Sequence, residues 1–387
     1  MHNCYSVFVL FTFFQHVALS LGLILGIILP PSPVHLVSQQ THQSPVAQPA
    51  PATTTPTTTP IVKPKKVTPP KQTTLTPGTP EYQQSLQQAL NTLAAIATSS
   101  PAGSLNDSVR NATVNIICTT AASGPFNSIS ASGVIVDPRG VIMTNAHVAQ
   151  YFLLKDYPSP NFVQCIIRAG SPARNAYTAI PLFIPPDWIA DNAAKLTETE
   201  PLGSGEHDWS LLLVTGPAGP STPYPSSFNY VPITNSDANQ GDNVLIAGYP
   251  AGFLGGITIA KDLYAASANA TVSTLYTYAT STPDLFSIGG TIVAQHGSSG
   301  GPVTRINPSS PTGISLLGII VTATDAPDTA NRDLRALASS YIVRDFVAEA
   351  GLTLQQFLNS NLTSQAIFFA QQVAPQLTNQ LTSVLNK

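Results

Sequence analysis

The stretch S-G-V-I-V-D-P-R-G-V-I-M-T-N-A-H-V, residues 132–148, contains two short apolar runs separated by a turn with proline and glycine. Runs of this length rich in β-branched residues are typical of strands, and the turn predicts a hairpin. The second strand would end at His147, before a short helical turn from Val148 to Leu153. A histidine held at a rigid strand end suits proton transfer, which depends on geometry. Taken alone, however, such a histidine is more often structural than catalytic.

Similar runs continue from about residue 108 to residue 342, separated by Gly, Pro, Asn and Asp. Short strands with turn residues between them predict an all-β sandwich or barrel rather than alternating strands and helices. The predicted strands are VNIICTT (114–120), SGVIV (132–136), VIMTN (141–145), VQCIIR (163–168), SLLLV (210–214), NVLIAGY (243–249), TIVAQ (291–295) and LLGIIV (316–321).

Two further segments carry residues that could take part in catalysis. In H-D-W-S-L-L-L-V, residues 207–214, Asp208 immediately precedes an apolar strand and could hold the Nδ1 proton of a histidine base. In A-Q-H-G-S-S-G-G-P-V, residues 294–303, the glycines allow a tight turn that would expose Ser299. The amides of Gly297 and Ser299 could then form an oxyanion hole. The simpler interpretations are a turn aspartate and a flexible Gly/Ser loop.

The order His147, Asp208, Ser299 within one β-rich region is that of chymotrypsin, and it differs from subtilisin and the α/β-hydrolases. With these three segments the chain resembles the trypsin-like serine peptidases, most closely the catalytic domain of the HtrA/Deg type. T-N-A-H-V, D-W-S-L-L-L-V and G-S-S-G-G-P-V are similar to that family's motifs around its histidine, aspartate and serine. The stretches 108–116 and 241–250 are also similar to family segments.

The resemblance implies a chymotrypsin-like fold of two six-stranded antiparallel β-barrels, here with flanking helices. It also implies a serine endopeptidase with His147, Asp208 and Ser299 as catalytic residues, acting on protein or peptide substrates without cofactor or metal. Too few residues follow the last barrel segment for the PDZ module of HtrA proteins. Ser298 stands where animal digestive relatives have aspartate, so activation by N-terminal insertion is not expected.

The resemblance also assigns the substrate pocket. Its base falls on Val293, and its wall strand falls on Val321, Thr322 and Ala323. No acidic residue lines such a pocket, so a lysine or arginine side chain would be unpaired there. We predict small or medium apolar side chains at P1, the substrate residue before the cleaved bond. His296 is a rim histidine that could alternatively contact a polar or acidic P1 side chain.

The N-terminal region predicts a membrane anchor on a spacer. Val7 to Leu29 is nearly all apolar and long enough to span a bilayer as a helix, although a cleaved signal peptide is the alternative. Pro30 to Pro80 is a Pro/Thr-rich spacer that is expected to stay disordered. An anchor followed by such a stalk favours a single-pass membrane protein whose protease domain is extracytoplasmic, either periplasmic or extracellular.

Gln83 to Ala97 has the spacing of an amphipathic helix, and the tail after about residue 346 has helical spacing interrupted at Pro375. The tail could pack on the body, on the helix after Pro80, or on another subunit as a homo-oligomer contact that gates the protease. The predicted segments are 1–30 anchor or signal segment, 31–80 linker, 81–104 amphipathic helix and connector, 105–220 N-terminal barrel, 221–345 C-terminal barrel, and 346–387 helical tail.

Charge and cysteine content narrow the function classes. Charged residues make up only 9% of the 387 residues, and the net charge of −3 argues against nucleic acid as a partner. Three cysteines are too few for a disulfide framework and lack metal-ligand spacing, which leaves Cys118 and Cys165 either bridged or as buried thiols. The alternative to an active peptidase is a catalytically silent trypsin-like scaffold or binding module.

Overall fold

The computed structural model describes residues 105–386, apart from 122, 123, 125, 199–202, 253, 279, 280, 325 and 327. All of these residues belong to one compact unit, Gln84–Lys387. The predicted membrane segment, the linker and the helix Gln83–Ala97 lie outside the described residues. Within the described part of the chain, no helix has the length and apolar character needed to cross a bilayer.

The first half of the described chain forms a closed antiparallel barrel of six strands in the order β1-β2-β3-β6-β5-β4. The apolar residues that predicted these strands fill its interior, with Ile116, Ile142 and Leu212 fully buried. The strands are β1 Thr113–Thr120, β2 Ile129–Asp137, β3 Val141–Thr144, β4 Val163–Ala169, β5 Arg174–Phe183 and β6 Ser210–Pro217. This half of the predicted fold is confirmed.

The second half forms a seven-stranded sheet in the order β8-β7-β11-β12-β13-β10-β9. The prediction of a second six-stranded barrel is therefore wrong in strand number and in closure. Its two end strands, β8 and β9, are consecutive in the chain. β8 pairs with β7 and β9 pairs with β10, and the chain crosses between these two edges at Val272 and Ser273. The strands are β7 Asn243–Gly248, β8 Ala266–Thr271, β9 Thr274–Tyr276, β10 Leu285–Ser287, β11 Pro302–Ile306, β12 Ile314–Ala323 and β13 Leu334–Ala338.

One predicted strand is wrong. Residues 291–295 (TIVAQ) form turns, with the amide of Ala294 donating to the carbonyl of Thr291 at 2.9 Å and that of Gln295 to Val293 at 2.8 Å. Gly289 has a positive φ of 69°, which breaks the extended backbone just before this segment. Val293 and Ala294 of this run are instead buried in the apolar cluster that includes the second sheet.

Helices close both ends of the described chain. The α-helices are α1 Leu105–Ala112, α2 Ala146–Leu153, α3 Pro186–Asn192, α4 Gly256–Lys261, α5 Ser339–Ala350, α6 Leu354–Asn359, α7 Leu362–Phe368 and α8 Ala374–Leu385. Short 3₁₀ helices lie at Ala193–Thr197 and Thr329–Asn331, and a π-helical turn at Phe369–Val373 joins α7 to α8. Pro375 lies in the first turn of α8, where a missing N–H is tolerated.

The tail folds back onto its own chain. Phe369, Leu377 and Leu381 belong to the core of the first barrel, while Leu354, Phe357 and Leu362 belong to an apolar cluster formed by residues of both halves. The tail therefore covers both halves of the molecule. Cys118 and Cys165 face each other on the paired strands β1 and β4 and form a disulfide bond.

Candidate active site

His147 lies in the first turn of α2, directly after β3. Asn145 occupies the position before this helix, but its side chain does not cap the helix. Its amide donates instead to the backbone carbonyl of Asp208 at 2.8 Å. The residue before the helix thus fixes the loop that presents Asp208 beside the histidine.

Asp208 makes two hydrogen bonds to His147. Its Oδ1 accepts the backbone N–H of His147 at 2.9 Å, and its Oδ2 lies 2.7 Å from the imidazole Nδ1. The first bond satisfies an N–H of the first helical turn, which has no partner within the helix. The second leaves Nε2 of the ring free to exchange a proton with a substrate or nucleophile.

The pKa of His147 reflects two opposing effects. Burial of the ring lowers the pKa, because it disfavours the charged imidazolium. The negative charge of Asp208 and its hydrogen bond favour the imidazolium and together outweigh burial, so the pKa of His147 is raised above 6.5. This arrangement stabilises a histidine that accepts a proton.

Ser299 lies in a tight loop that packs against the histidine-bearing barrel. The backbone N–H of Ser132 in β2 donates to the carbonyl of Ser299 at 2.8 Å. Gly300 has a φ of 82°, and a Cβ there would lie 2.2 Å from the carbonyl oxygen of Ser132 and 2.4 Å from Oγ1 of Thr144. Only glycine permits this close approach. The loop is therefore fixed against Thr144, which precedes His147 by three residues in the chain.

Gly297 is oriented by the carbonyl groups on both sides of it. The carbonyl of His296 accepts the amide of Ala251 at 2.7 Å, and the N–H of the same planar peptide, that of Gly297, points the opposite way. The carbonyl of Gly297 accepts the hydroxyl of Ser132 at 2.7 Å. Among the described residues, the amides of Gly297 and Ser299 donate to no acceptor, which leaves both for an oxyanion.

The hydroxyl of Ser299 is half-buried and makes no hydrogen bond within the described part of the chain. The structure therefore holds His147 and Asp208 together in direct contact, and it brings the Ser299 loop beside them without a bond between Ser299 and His147. Such bonds are often long in a substrate-free site and tighten when substrate binds.

The predicted pocket residues differ in their surroundings. Val293 is fully buried and Val321 is 7% exposed, and both belong to the core of the second sheet. His296 is exposed at the rim. Thr322 and Ala323 continue β12 after Val321, and their side chains are outside the described part of the structure.

Two residues near the site were missed by the sequence analysis. The hydroxyl of Ser132 donates to the carbonyl of Gly297 and accepts the amide of Tyr249 at 2.9 Å, so it links the first barrel to the Ser299 loop. Asn145 fixes the backbone of Asp208. The signal for Ser132 is a polar residue within an apolar strand, and the signal for Asn145 is a polar residue directly before a helix, since buried polar groups need hydrogen-bond partners.

One group of potential metal ligands occurs among the described residues, formed by Asp187, His207 and Glu349 with ligand atoms within 4.8 Å of one another. Nδ1 of His207 already lies 2.9 Å from both carboxylate oxygens of Asp345. That hydrogen bond raises the pKa of His207 to about 9, so the ring is cationic at neutral pH and balances the carboxylate.

Comparison with known proteins agrees with this geometry. Residues 131–307 match the family of the trypsin-like peptidase domain, a span that includes His147, Asp208 and Ser299. No curated protein matches the chain in sequence.

Three similar solved structures carry protease names. The Rv3671c protease from M. tuberculosis, active form, is 18% identical over 66% of this chain and 89% of its own, with a TM-score of 0.37. The MamO protease domain from Magnetospirillum magneticum is 17% identical over 62% of this chain and 98% of its own, with a TM-score of 0.36. The serine endoprotease from Yersinia pestis is 18% identical over 63% of this chain and 66% of its own, with a TM-score of 0.38.

At these identities and TM-scores, residue roles do not transfer from the solved structures. The family match stands apart from them, because it covers most of β2, the strands β3 to β6 and the motifs of the site together. Residues 131–307 of this chain therefore match a trypsin-like peptidase domain.

Proposed function

We propose that the chain is a serine endopeptidase that hydrolyses peptide bonds through His147, Asp208 and Ser299. Oγ of Ser299 attacks the carbonyl carbon of the substrate while Nε2 of His147 takes its proton. The oxyanion that forms accepts hydrogen bonds from the backbone N–H groups of Gly297 and Ser299. His147 then gives its proton to the leaving amine, and water hydrolyses the acyl-enzyme by the same route.

The observation that carries this proposal is the paired contact of Asp208 with His147. One carboxylate oxygen fixes the backbone of His147, and the other lies 2.7 Å from its imidazole Nδ1. A carboxylate in this position selects the tautomer with a free Nε2 and stabilises the imidazolium that forms during catalysis. Neither a structural histidine nor a binding module requires this arrangement beside a glycine-lined serine loop.

Labelling with a fluorophosphonate probe tests the proposal on the full chain in detergent. The unmodified protein is expected to be labelled, and Ser299→Ala should lose all labelling. Ser298→Ala is a matched control, because the hydroxyl of Ser298 is buried without a hydrogen bond in the described structure and should not react. A folded protein that resists labelling would favour the silent scaffold or binding module instead.

The P1 preference is proposed to be small or medium apolar. Two apolar side chains, Val293 and Val321, are buried where the family has its pocket base and wall. A charged P1 side chain there would lose its hydration without gaining a partner. Peptide substrates that differ only at P1 test this, with Ala, Val and Leu expected to exceed Lys and Glu in kcat/KM. Faster cleavage after Glu would instead favour a P1 contact with His296.

We also propose that an N-terminal helix tethers the protease to a membrane, with the protease domain extracytoplasmic. The support is the apolar segment from Val7 to Leu29, the spacer after it, and the disulfide of Cys118 and Cys165, since disulfides persist in oxidising compartments. Full-length protein should stay in membranes after carbonate extraction, and a form without residues 1–80 should not. Release of the full-length form would contradict the tether.

A homo-oligomer contact through the helical tail is proposed from exposed apolar residues on α5 and α7. Val347 is 41% exposed and Ile367 is 52% exposed, so the described part of the chain leaves both side chains open to solvent. Mass measurement of the full chain and of the variant that combines Val347→Asp with Ile367→Asp tests this contact. An unchanged assembly state in the variant would contradict it.

A further inference from the structure

The two residues that flank Asp208 are held by a single side chain. Nδ1 of His207 lies 2.9 Å from both carboxylate oxygens of Asp345, and the indole N–H of Trp209 donates to Oδ2 of the same carboxylate at 2.7 Å. Asp345 is 7% exposed and Trp209 is fully buried. The carboxylate of Asp345 therefore binds the residues on both sides of Asp208.

These contacts come from a distant part of the chain. Asp345 lies on α5, which follows the last strand of the second sheet, whereas Asp208 precedes β6 of the first barrel. One helical turn before Asp345, the hydroxyl of Tyr341 accepts the backbone N–H of His207 at 3.3 Å. Residues four apart lie on one face of a helix, so α5 presents two polar groups to this loop.

The loop requires such support because its backbone is strained. His207 has a φ of 56°, a left-handed conformation that residues other than glycine seldom adopt. Strained residues persist where surrounding contacts hold them, and they concentrate at functional sites. Here the strain lies directly beside Asp208, and its ion pair and hydrogen bonds to α5 hold it in place.

We infer that Asp345 is a positioning residue for catalysis, which sets the carboxylate of Asp208 against His147 by fixing His207 and Trp209. This inference rests on the proposed peptidase function. Without the carboxylate, the loop is free to relax toward an ordinary backbone conformation, which moves Asp208 relative to the imidazole. A misplacement of about 1 Å in a catalytic group can reduce the rate about a hundredfold.

The test variant is Asp345→Asn in the full chain. Its amide oxygen can still accept the indole N–H of Trp209, so the variant should fold, but it no longer pairs with a cationic His207. We expect kcat to fall about tenfold to a hundredfold with little change in KM. The acid limb of kcat/KM should also move to lower pH, because Asp208 would support the imidazolium of His147 less.

Glu349→Gln provides a matched control one turn further along α5. Oε1 of Glu349 lies 3.7 Å from Nδ1 of His207, but Glu349 has no contact with Trp209 among the described residues. Burial and neighbouring carboxylates raise the pKa of Glu349 to about 8, so glutamine matches its neutral form near pH 7. This control should keep its kcat and its pH profile.

A second variant, His207→Asn, removes the ion pair but tolerates the left-handed backbone, because asparagine adopts it more readily. We expect a smaller loss of kcat than in Asp345→Asn. Unchanged kcat and pH profile in Asp345→Asn, with only a lower Tm, would overturn the inference and leave Asp345 a purely structural role.

A readout without turnover separates this inference from the proposed function. NMR of the full chain in a Ser299→Ala background gives the pKa of His147, and adding Asp345→Asn should lower it. If that pKa falls while the unmodified protein neither cleaves peptides nor reacts with fluorophosphonate, the positioning role holds and the peptidase proposal fails. If the protein is active and the pKa is unmoved, the positioning role fails.

Discussion

Glycine at position 297 combines a left-handed backbone with close packing. Its φ is 93°, and a Cβ there would lie 2.5 Å from the carbonyl oxygen of Tyr249 and 3.0 Å from the amide of Ala251. Both contacts are with backbone, which cannot move aside cheaply. The shape of the loop, and the amide proposed to bind the oxyanion, therefore depend on one residue type.

Gly297→Ala is expected to lower kcat by about a hundredfold to a thousandfold, comparable to the loss of one oxyanion donor. The measurement is kcat for a peptide substrate, with circular dichroism to show that the variant folds. Gly255→Ala is a suitable control, since a Cβ there would meet no atom within 4 Å. Equal activity of the two variants would argue against the oxyanion role of Gly297.

The pH dependence of catalysis should follow His147. The base must be neutral to accept a proton, and its pKa is raised above 6.5 because Asp208 outweighs burial. Activity should therefore fall as pH decreases through a midpoint above 6.5, measured as kcat/KM against pH. In Asp208→Asn the remaining activity should be about ten-thousandfold lower, as expected when the tautomer is wrong. A midpoint below 6.5 in the unmodified protein would contradict this reading of the site.

At the scale of secondary structure, α5 and the loop before β6 are coupled by titrating groups. His207 faces Asp345, Glu349, Glu206 and Tyr341, and Glu349 also faces Asp187. The pKa of His207 is raised to about 9, so its stabilising charge is fully present below 6.5 and is lost as pH rises through about 9. The pKa of Glu349 is raised to about 8, so its neutral form is favoured by the folded state. The stability that this contributes is lost as pH rises from about 4.5 through 8.

Both effects have the same sign, so the Tm should fall as pH rises from about 6.5 to 9.5. The measurement is thermal unfolding followed by circular dichroism across this range. His207→Asn should flatten the dependence, because the variant has no imidazole to titrate. A Tm that stays constant in the unmodified protein would show that these contacts add little to stability.

The tail provides a matched pair of buried and exposed residues. Leu381 on α8 is fully buried in the core of the first barrel, whereas Ile367 on α7 is 52% exposed. Leu381→Ala should lower the free energy of unfolding by about 2–5 kcal/mol, and Ile367→Ala by less than about 1 kcal/mol. Urea unfolding measures both, and equal effects would contradict the packing of the tail on the barrel.

Strands with strong apolar runs were predictable from sequence, and others were not. The runs at 114–120 and 316–321 are strands because both lie in apolar cores. β5 and β8 escaped prediction because they mix polar, small and proline residues, with burial set by distant neighbours. The run at 291–295 contains apolar residues but forms turns, with Val293 and Ala294 buried in a core without pairing in a sheet.

The site was predictable to a similar extent. His147, Asp208 and Ser299 each lie in a local motif that can be read along the chain. Asp345 lies more than a hundred residues from Asp208 in a helix without a motif, so its contact with His207 and Trp209 follows only from the fold. Ser132 likewise acquires its two partners only when the two halves of the molecule meet.

At the scale of the whole molecule, the disulfide joins two neighbouring strands of the first barrel that lie 47 residues apart in sequence. Removing it should destabilise the protein by about 2–5 kcal/mol. Cys118→Ala with Cys165→Ala, compared with the unmodified protein in urea unfolding, measures this effect. Cys4→Ala should change nothing in the same experiment. Equal stability of the double variant would show that strand pairing alone holds this edge of the barrel.

Because the tail returns to the first barrel, the core of that barrel is completed by residues that are made late in synthesis. A chain made from its N-terminus exposes His147, Asp208 and Ser299 before Asp345 and the helices after it exist. Until those last residues emerge, the barrel core lacks Leu377 and Leu381, and the backbone around Asp208 lacks its anchor. If the proposed peptidase function and the positioning role of Asp345 hold, the three catalytic residues are all made before the carboxylate that sets their geometry.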